Sequence, residues 1–229
     1  MGSLSFEFYP ITEYIKLGTG ISEQLERMIS LQNIEVAAEI IRQRGIVGYP
    51  TETVYGLGGA VLDPVAERIQ RIKKRDRKPM LVLIPDSDSL SSFVRDIREG
   101  VWSLINAFWP GPLTLVFQAR SGWPDQMIGP DGGIAIRRSP DPVCQQLLAL
   151  VGQAIISTSA NLSGHPPART AEQVREYFGS HIDGILDGGP RNTNEVSTVL
   201  DVRSCPFKLL REGAVSRKLL GSVTGDCFD

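Results

Sequence analysis

Histidine is nearly missing: only His165 and His181 occur in 229 residues. A histidine-based metal cluster or a Ser-His-Asp triad has little to be built from. Cysteine is equally scarce. Cys144, Cys205 and Cys227 are odd in number and form no Cys-x-x-Cys pair, which argues against a disulfide framework or a zinc module and suits a reducing cytosol. No apolar run approaches the roughly 20 residues that a bilayer span needs. Residues 1–10 lack a basic start followed by an apolar core, and Phe6 stands where a myristoylation signal wants Ser or Thr. The expectation is a cytoplasmic protein with no membrane partner. Positive charge is not in surplus either, with 24 Lys and Arg against 26 Asp and Glu. Coating nucleic acid through bulk charge is therefore unsupported. Finally, no Gly-Lys pair exists, which excludes a P-loop.

What is present is concentrated in residues 45–59, GIVGYPTETVYGLGG. A short apolar strand, Ile46 to Tyr49, runs into Pro50, which has no N–H for the ladder and ends the pairing. Thr51, Glu52 and Thr53 follow, then Tyr55 and the glycines Gly56, Gly58 and Gly59. Polar side chains at a strand end, backed by glycines free to adopt positive φ, are one way to build a ligand pocket in an α/β sheet. A tight turn with a satisfied Thr/Glu cluster is the alternative. The glycines do not form a dinucleotide fingerprint, because a polar hexapeptide separates them from the strand and the third position is Val61.

Around this stretch the chain alternates helices and strands. Ile34, Ala37, Ala38 and Ile41 share a helical face ending near Gly45. Asp63-Pro64 reads as an N-cap and first helical position, with a helix to about Lys74. That helix ends in a basic cluster: Arg68 and Arg71 on a solvent face, then Lys73, Lys74, Arg75, Arg77 and Lys78 in the turn. The turn is either a solvated surface or an anion site. Strands are expected at 80–84, 113–117, 134–138, 154–156, 184–187, 197–201 and 207–210. Helices are expected at 101–108, from Asp141-Pro142 to about Val151, and from the capping box at Thr170 to Gly179. Residues 157–164, STSANLSG, are too polar for a core and form either a capping loop or part of a site. The pattern indicates a single α/β domain with a twisted, mixed open sheet flanked by helices. Residues 1–32 read as an arm, 33–213 as the catalytic domain and 214–229 as a C-terminal tail.

Several stretches together resemble one family, the YrdC-like threonylcarbamoyl-AMP synthases in their short, single-domain form. They are Tyr49 to Gly58, Lys73-x-Arg75, Trp109 to Thr114, Ile134 to Arg137, Ser157 to Gly164, Ser197-Thr198 and Leu210 to Gly213. The resemblance implies an L-threonylcarbamoyladenylate synthase, a nucleotidyltransferase making threonylcarbamoyl-AMP and pyrophosphate from L-threonine, bicarbonate and ATP. The product would feed proteins that transfer threonylcarbamoyl to tRNA. By resemblance, Thr53, Arg137, Ser157 and Ser197 bind threonine, and Arg75, Lys78, Ser159, Asn161 and Arg211 bind ATP. Lys73 and Arg75 would be catalytic. Magnesium (Mg2+) is expected on the phosphates, with no dedicated protein metal site. A double-stranded-RNA-binding, ribosome-associated module of the same fold is the alternative. Weak RNA binding through the basic cluster is its basis, without interleaved aromatics to stack on bases.

Overall fold

The computed structural model describes residues 34–74, 78–129, 131–193 and 195–225. The chain opens with helix α1 (34–42) and continues through β1 (Ile46–Pro50), β2 (Tyr55–Ala60), α2 (Asp63–Ile72) and β3 (Leu81–Leu83). Next come α3 (Leu90–Phe93), α4 (Glu99–Phe108), β4 (Leu113–Gln118), β5 (Gly133–Arg137), α5 (Pro142–Val151) and β6 (Ile155–Ser159). The chain then adds α6 (Ala171–Phe178), β7 (Gly184–Ile185), β8 (Thr198–Asp201), β9 (Lys208–Arg211) and α7 (Arg217–Thr224).

Among the described residues, nine strands form one sheet in the order β7-β1-β2-β6-β3-β5-β4-β8-β9. It is mixed: β1–β7, β3–β5 and β4–β8 are parallel, and the other pairs are antiparallel. Period-two alternation sends neighbouring residues to opposite faces. Ile46, Leu57, Val82, Ile136 and Ile156 join a large core with α2, α4, α6 and α7. Val47, Tyr49, Ala60, Leu83 and Ile155 join a smaller one, covered by α1 and α5. That second face is only partly covered by helices. The uncovered part exposes Ala135, Arg137, Ser157 and Ser159 on the same alternation, and this is where a cavity forms.

Caps fix the helix that bounds this cavity side. Asp141 accepts from the Val143 and Cys144 amides at the start of α5, and Gly152 closes it at φ 75°. Thr170 accepts from Gln173 N, as its capping box implies, while the Gln173 side chain accepts from Arg169 N. Asp63 departs from expectation. The N-cap of α2 is Leu62 without a side-chain bond, so Asp63 sits inside the first turn, where its charge still favours the helix dipole.

Two larger differences concern the central stretch. Tyr55 to Ala60 is a strand throughout, paired with both β1 and β6, and Gly56, Gly58 and Gly59 do not adopt positive φ. The reason for glycine is space. A Cβ on Gly58 would lie 2.1 Å from the Ile156 carbonyl oxygen and 3.1 Å from the Tyr49 ring, which also lies against Gly56. Secondly, Ser157 and Ser159, expected in a loop after residue 156, are the last residues of β6 and pair with Gly58 and Gly56. Residues 1–32, expected as an arm, lie outside the described residues. In the segment expected as a tail, α7 is capped by Ser216 and places Leu220 in the large core.

Candidate active site

The cavity has a volume of about 300 Å³, at the lower end of the range usual for small-molecule sites, roughly 300–1,000 Å³. Thr53, Arg137, Ser157 and Ser197, read from the sequence as one group, all line it. They come from four separate parts of the chain: the turn after β1, the end of β5, the middle of β6, and the residue before β8. Each is between 2% and 5% exposed. They form the floor.

A buried guanidinium needs a compensating charge. Glu52 provides it, with Oε1 at 3.3 Å from Arg137 Nη1, and Ser139 Oγ donates to Glu52 Oε2 at 2.5 Å. Compensation is incomplete: Arg137 Nε and Glu52 Oε1 are buried without a hydrogen-bond partner. On the other side, Arg211 donates from Nη2 to the Ser197 carbonyl at 2.7 Å and to Ser197 Oγ at 3.1 Å. Thr114 Oγ1 lies 3.0 Å from the same hydroxyl. Burial first, and then the nearby charge of Arg137, hold the Arg211 guanidinium below its ordinary value. Two like charges facing one cavity are an arrangement an anion would relieve.

The second group, Ser159, Asn161, Lys73, Lys78 and Arg75, is arranged differently. Ser159 lines the cavity and donates from Oγ to Asn161 Oδ1 at 2.6 Å. Asn161 in turn donates from Nδ2 to the carbonyls of Leu162 and His165, which fixes its amide orientation. Lys73, the C-cap of α2, is buried, and its Nζ donates to Ser159 O, Asn161 O and Asn161 Oδ1. Lys73 and Asn161 therefore stand behind Ser159 rather than in the lining. Lys78 is exposed next to the lining residue Pro79. Arg75 and Arg77 lie outside the described residues. Arg68, expected on a solvent face, is half-exposed there and is held by a two-pronged pair with Asp183 (2.6 and 3.1 Å) and by the His181 carbonyl.

Further groups hold the floor in place. Thr51 Oγ1 donates to the Val54 carbonyl at 2.7 Å and lies 3.2 Å from Thr53 Oγ1. Tyr49 OH donates to Ser157 Oγ at 2.6 Å. Tyr55, also in the lining, reaches Asp187 Oδ1 and the Gly189 carbonyl, and burial pushes its phenol up to about 12. Arg191 stacks over the Tyr55 ring and pairs with Asp141 at 2.7 Å, anchoring the loop after β7. The available signal was the density of Tyr49, Thr51 and Glu52 in one stretch. Thr114, itself in the lining, ends the Trp109 to Thr114 stretch, whereas Ser139 carried no signal, because only the sheet order brings it here.

A small cavity with two guanidiniums, several hydroxyls and no imidazole suits binding and neutralising anions, not relaying protons. The family model for Sua5/YciO/YrdC, described as "Telomere recombination", matches residues 39–213. The chain belongs to the Sua5/YciO/YrdC family. A threonylcarbamoyl-AMP synthase of Pyrococcus abyssi is 36% identical over 195 residues, covering 84% of this chain and 57% of that protein. One from Nitrosococcus oceani is 38% identical over 160 residues, covering 68% of this chain and 85% of its own length. The chain thus spans little more than half of the archaeal relative and most of the bacterial one. Among solved structures, Pyrococcus abyssi Sua5 complexed with L-threonine superposes with a TM-score of 0.81 at 35% identity, covering 84% of this chain and 57% of that one. A mixed single-sheet fold is thus shared across this Sua5/YciO/YrdC match.

Proposed function

We propose that this protein is an L-threonylcarbamoyladenylate synthase, acting on L-threonine, bicarbonate and ATP. The observation that carries the reading is the convergence of Arg137 and Arg211 with Thr53 and Ser157 on one cavity. The Sua5 relative bound to L-threonine supports the amino-acid half of it.

In this reading Arg137 holds the threonine carboxylate on the floor, with Ser157 and Ser197 beside it. The ammonium loses a proton to water. Its nitrogen lone pair then attacks the carbon of bicarbonate, forming an N–C bond and releasing water. One carbamate oxygen attacks the α-phosphorus of ATP, and the bond from that phosphorus to the bridging oxygen breaks with departure of pyrophosphate. Every reactant except the amine is anionic, so holding charges together contributes most. Arg211, Lys78 and Ser159 bind the triphosphate, and the Lys73-x-Arg75 motif gives Arg75 the same role. Lys73 and Asn161 hold Ser159 in place. Magnesium arrives bound to the phosphates. Among the described residues no group of three His, Cys, Asp or Glu gathers that could hold a metal. The product passes to proteins that transfer threonylcarbamoyl to tRNA, in the cytoplasm. Among the described residues no helix is long and apolar enough to cross a membrane.

Incubation with labelled threonine, bicarbonate and ATP-magnesium is expected to yield a threonine-containing adenylate and pyrophosphate. Pyrophosphate formed equally well without threonine would overturn the assignment.

A further inference from the structure

We propose that Tyr49, which stands behind the cavity and not in its lining, is a positioning residue that commits Ser157 to donate a hydrogen bond to the substrate carboxylate. The inference rests on the reading of this cavity as an amino-acid site. Tyr49 is fully buried, its ring clamped against Gly56 and Gly58. Its hydroxyl makes one hydrogen bond among the described residues, to Ser157 Oγ at 2.6 Å. A bond between two hydroxyls could run either way, but the alternatives are unequal. Were Ser157 the donor, the phenolic proton would be left buried with no acceptor, a penalty larger than the bond is worth. Tyr49 must therefore donate. Burial also raises its pKa well above the ordinary value, so the proton is present at every working pH.

The consequence falls on Ser157. With a lone pair taken by Tyr49, its own proton has no protein acceptor among the described residues, and the side chain faces the cavity. It is left to donate to the ligand. Thr53 is wired in the opposite sense. The single Thr51 proton goes to the Val54 carbonyl, so the 3.2 Å contact is donated by Thr53. Thr53 Oγ1 then offers only lone pairs. Donors at Arg137 and Ser157, with an acceptor at Thr53, match a ligand carrying an acceptor-only carboxylate at one end and an O–H or N–H at the other.

The test is calorimetric titration of the full chain with L-threonine and with L-threoninol, in which an alcohol replaces the carboxylate. Tyr49→Phe keeps the ring and removes only the hydroxyl, so melting within a few degrees of wild type is expected. Its Kd for threonine should rise about tenfold, while its Kd for threoninol changes less than about twofold. Ser157→Ala should show the same carboxylate-selective loss and provides the test if Tyr49→Phe does not fold. The double variant should be no worse than Ser157→Ala alone, because Tyr49 acts only through Ser157. Threonine binding unchanged in Tyr49→Phe, equal losses for both ligands, or additive losses in the double variant would each overturn the role of Tyr49 while leaving the amino-acid site standing. Wild-type protein that does not bind threonine would overturn the amino-acid reading and this role with it.

Discussion

Two sides of one cavity are built on different principles. The floor, with Thr53, Arg137, Ser157 and Ser197, is almost sealed from water, and its side chains are fixed from behind by Glu52 and Tyr49 and from within the lining by Thr51 and Thr114. The rim, with Ser159 and Lys78, is more open, and its support is largely a lysine bonded to backbone carbonyls. A buried, pre-oriented group interacts strongly because no water competes and little reorganisation remains. An exposed cation contributes a screened charge that moves with its side chain. The floor is thus suited to selecting a small ligand, and the rim to gathering a highly charged one.

Removing the floor's cation should have the largest effect. Arg137→Ala is expected to lower threonine-dependent turnover by about 10²–10³-fold. It should also cost about 3–5 kcal/mol of stability, because Glu52 is left buried and uncompensated. Adding Glu52→Gln should recover stability but not turnover. Pyrophosphate release and denaturant melts separate the two, and full recovery of turnover would make the pair purely structural. Specificity comes next. Serine lacks only the methyl contact and should compete about 10–200-fold less well than threonine. Valine leaves the Thr53 acceptor unpaired and should compete less well than serine; the reverse order in a competition assay would contradict the wiring of Thr53. On the rim, Lys78→Ala should reduce turnover only a few-fold, about the size expected for an exposed charge, with the deficit shrinking in a salt series. A salt-independent loss as large as that of Arg137→Ala would erase the distinction between floor and rim. Smallest of all, Arg68→Ala should leave turnover unchanged and cost about 0.5–1 kcal/mol through its half-exposed pair with Asp183.

The same contrast explains what was legible in the sequence. Local signals were read well: the Asp141-Pro142 cap, the Thr170 capping box and the apolar face of α1. The strand Tyr55 to Ala60 was not, because three glycines in six residues argue against a strand on propensity alone. Only the Tyr49 ring lying across them, and the close approach of Ile156, explain why glycine is required. Lining residues were accessible through motifs, since each sits in a recognisable cluster. The contacts that hold them were not. Ser139 reaches Glu52 across 87 residues, and Thr114 reaches Ser197 across 83, contacts that follow from sheet order rather than from any local pattern. The ion pair of Arg68 was invisible for a similar reason, its partner Asp183 being 115 residues away.

The most direct measurement is titration of wild-type protein with L-threonine in the absence of ATP. A floor already organised by Tyr49, Thr51 and Glu52 predicts saturable 1:1 binding of threonine alone, with serine weaker and valine weaker still. Threonine binding seen only when nucleotide is present would contradict it, because the floor would then be assembled by the rim's ligand and not by the chain itself.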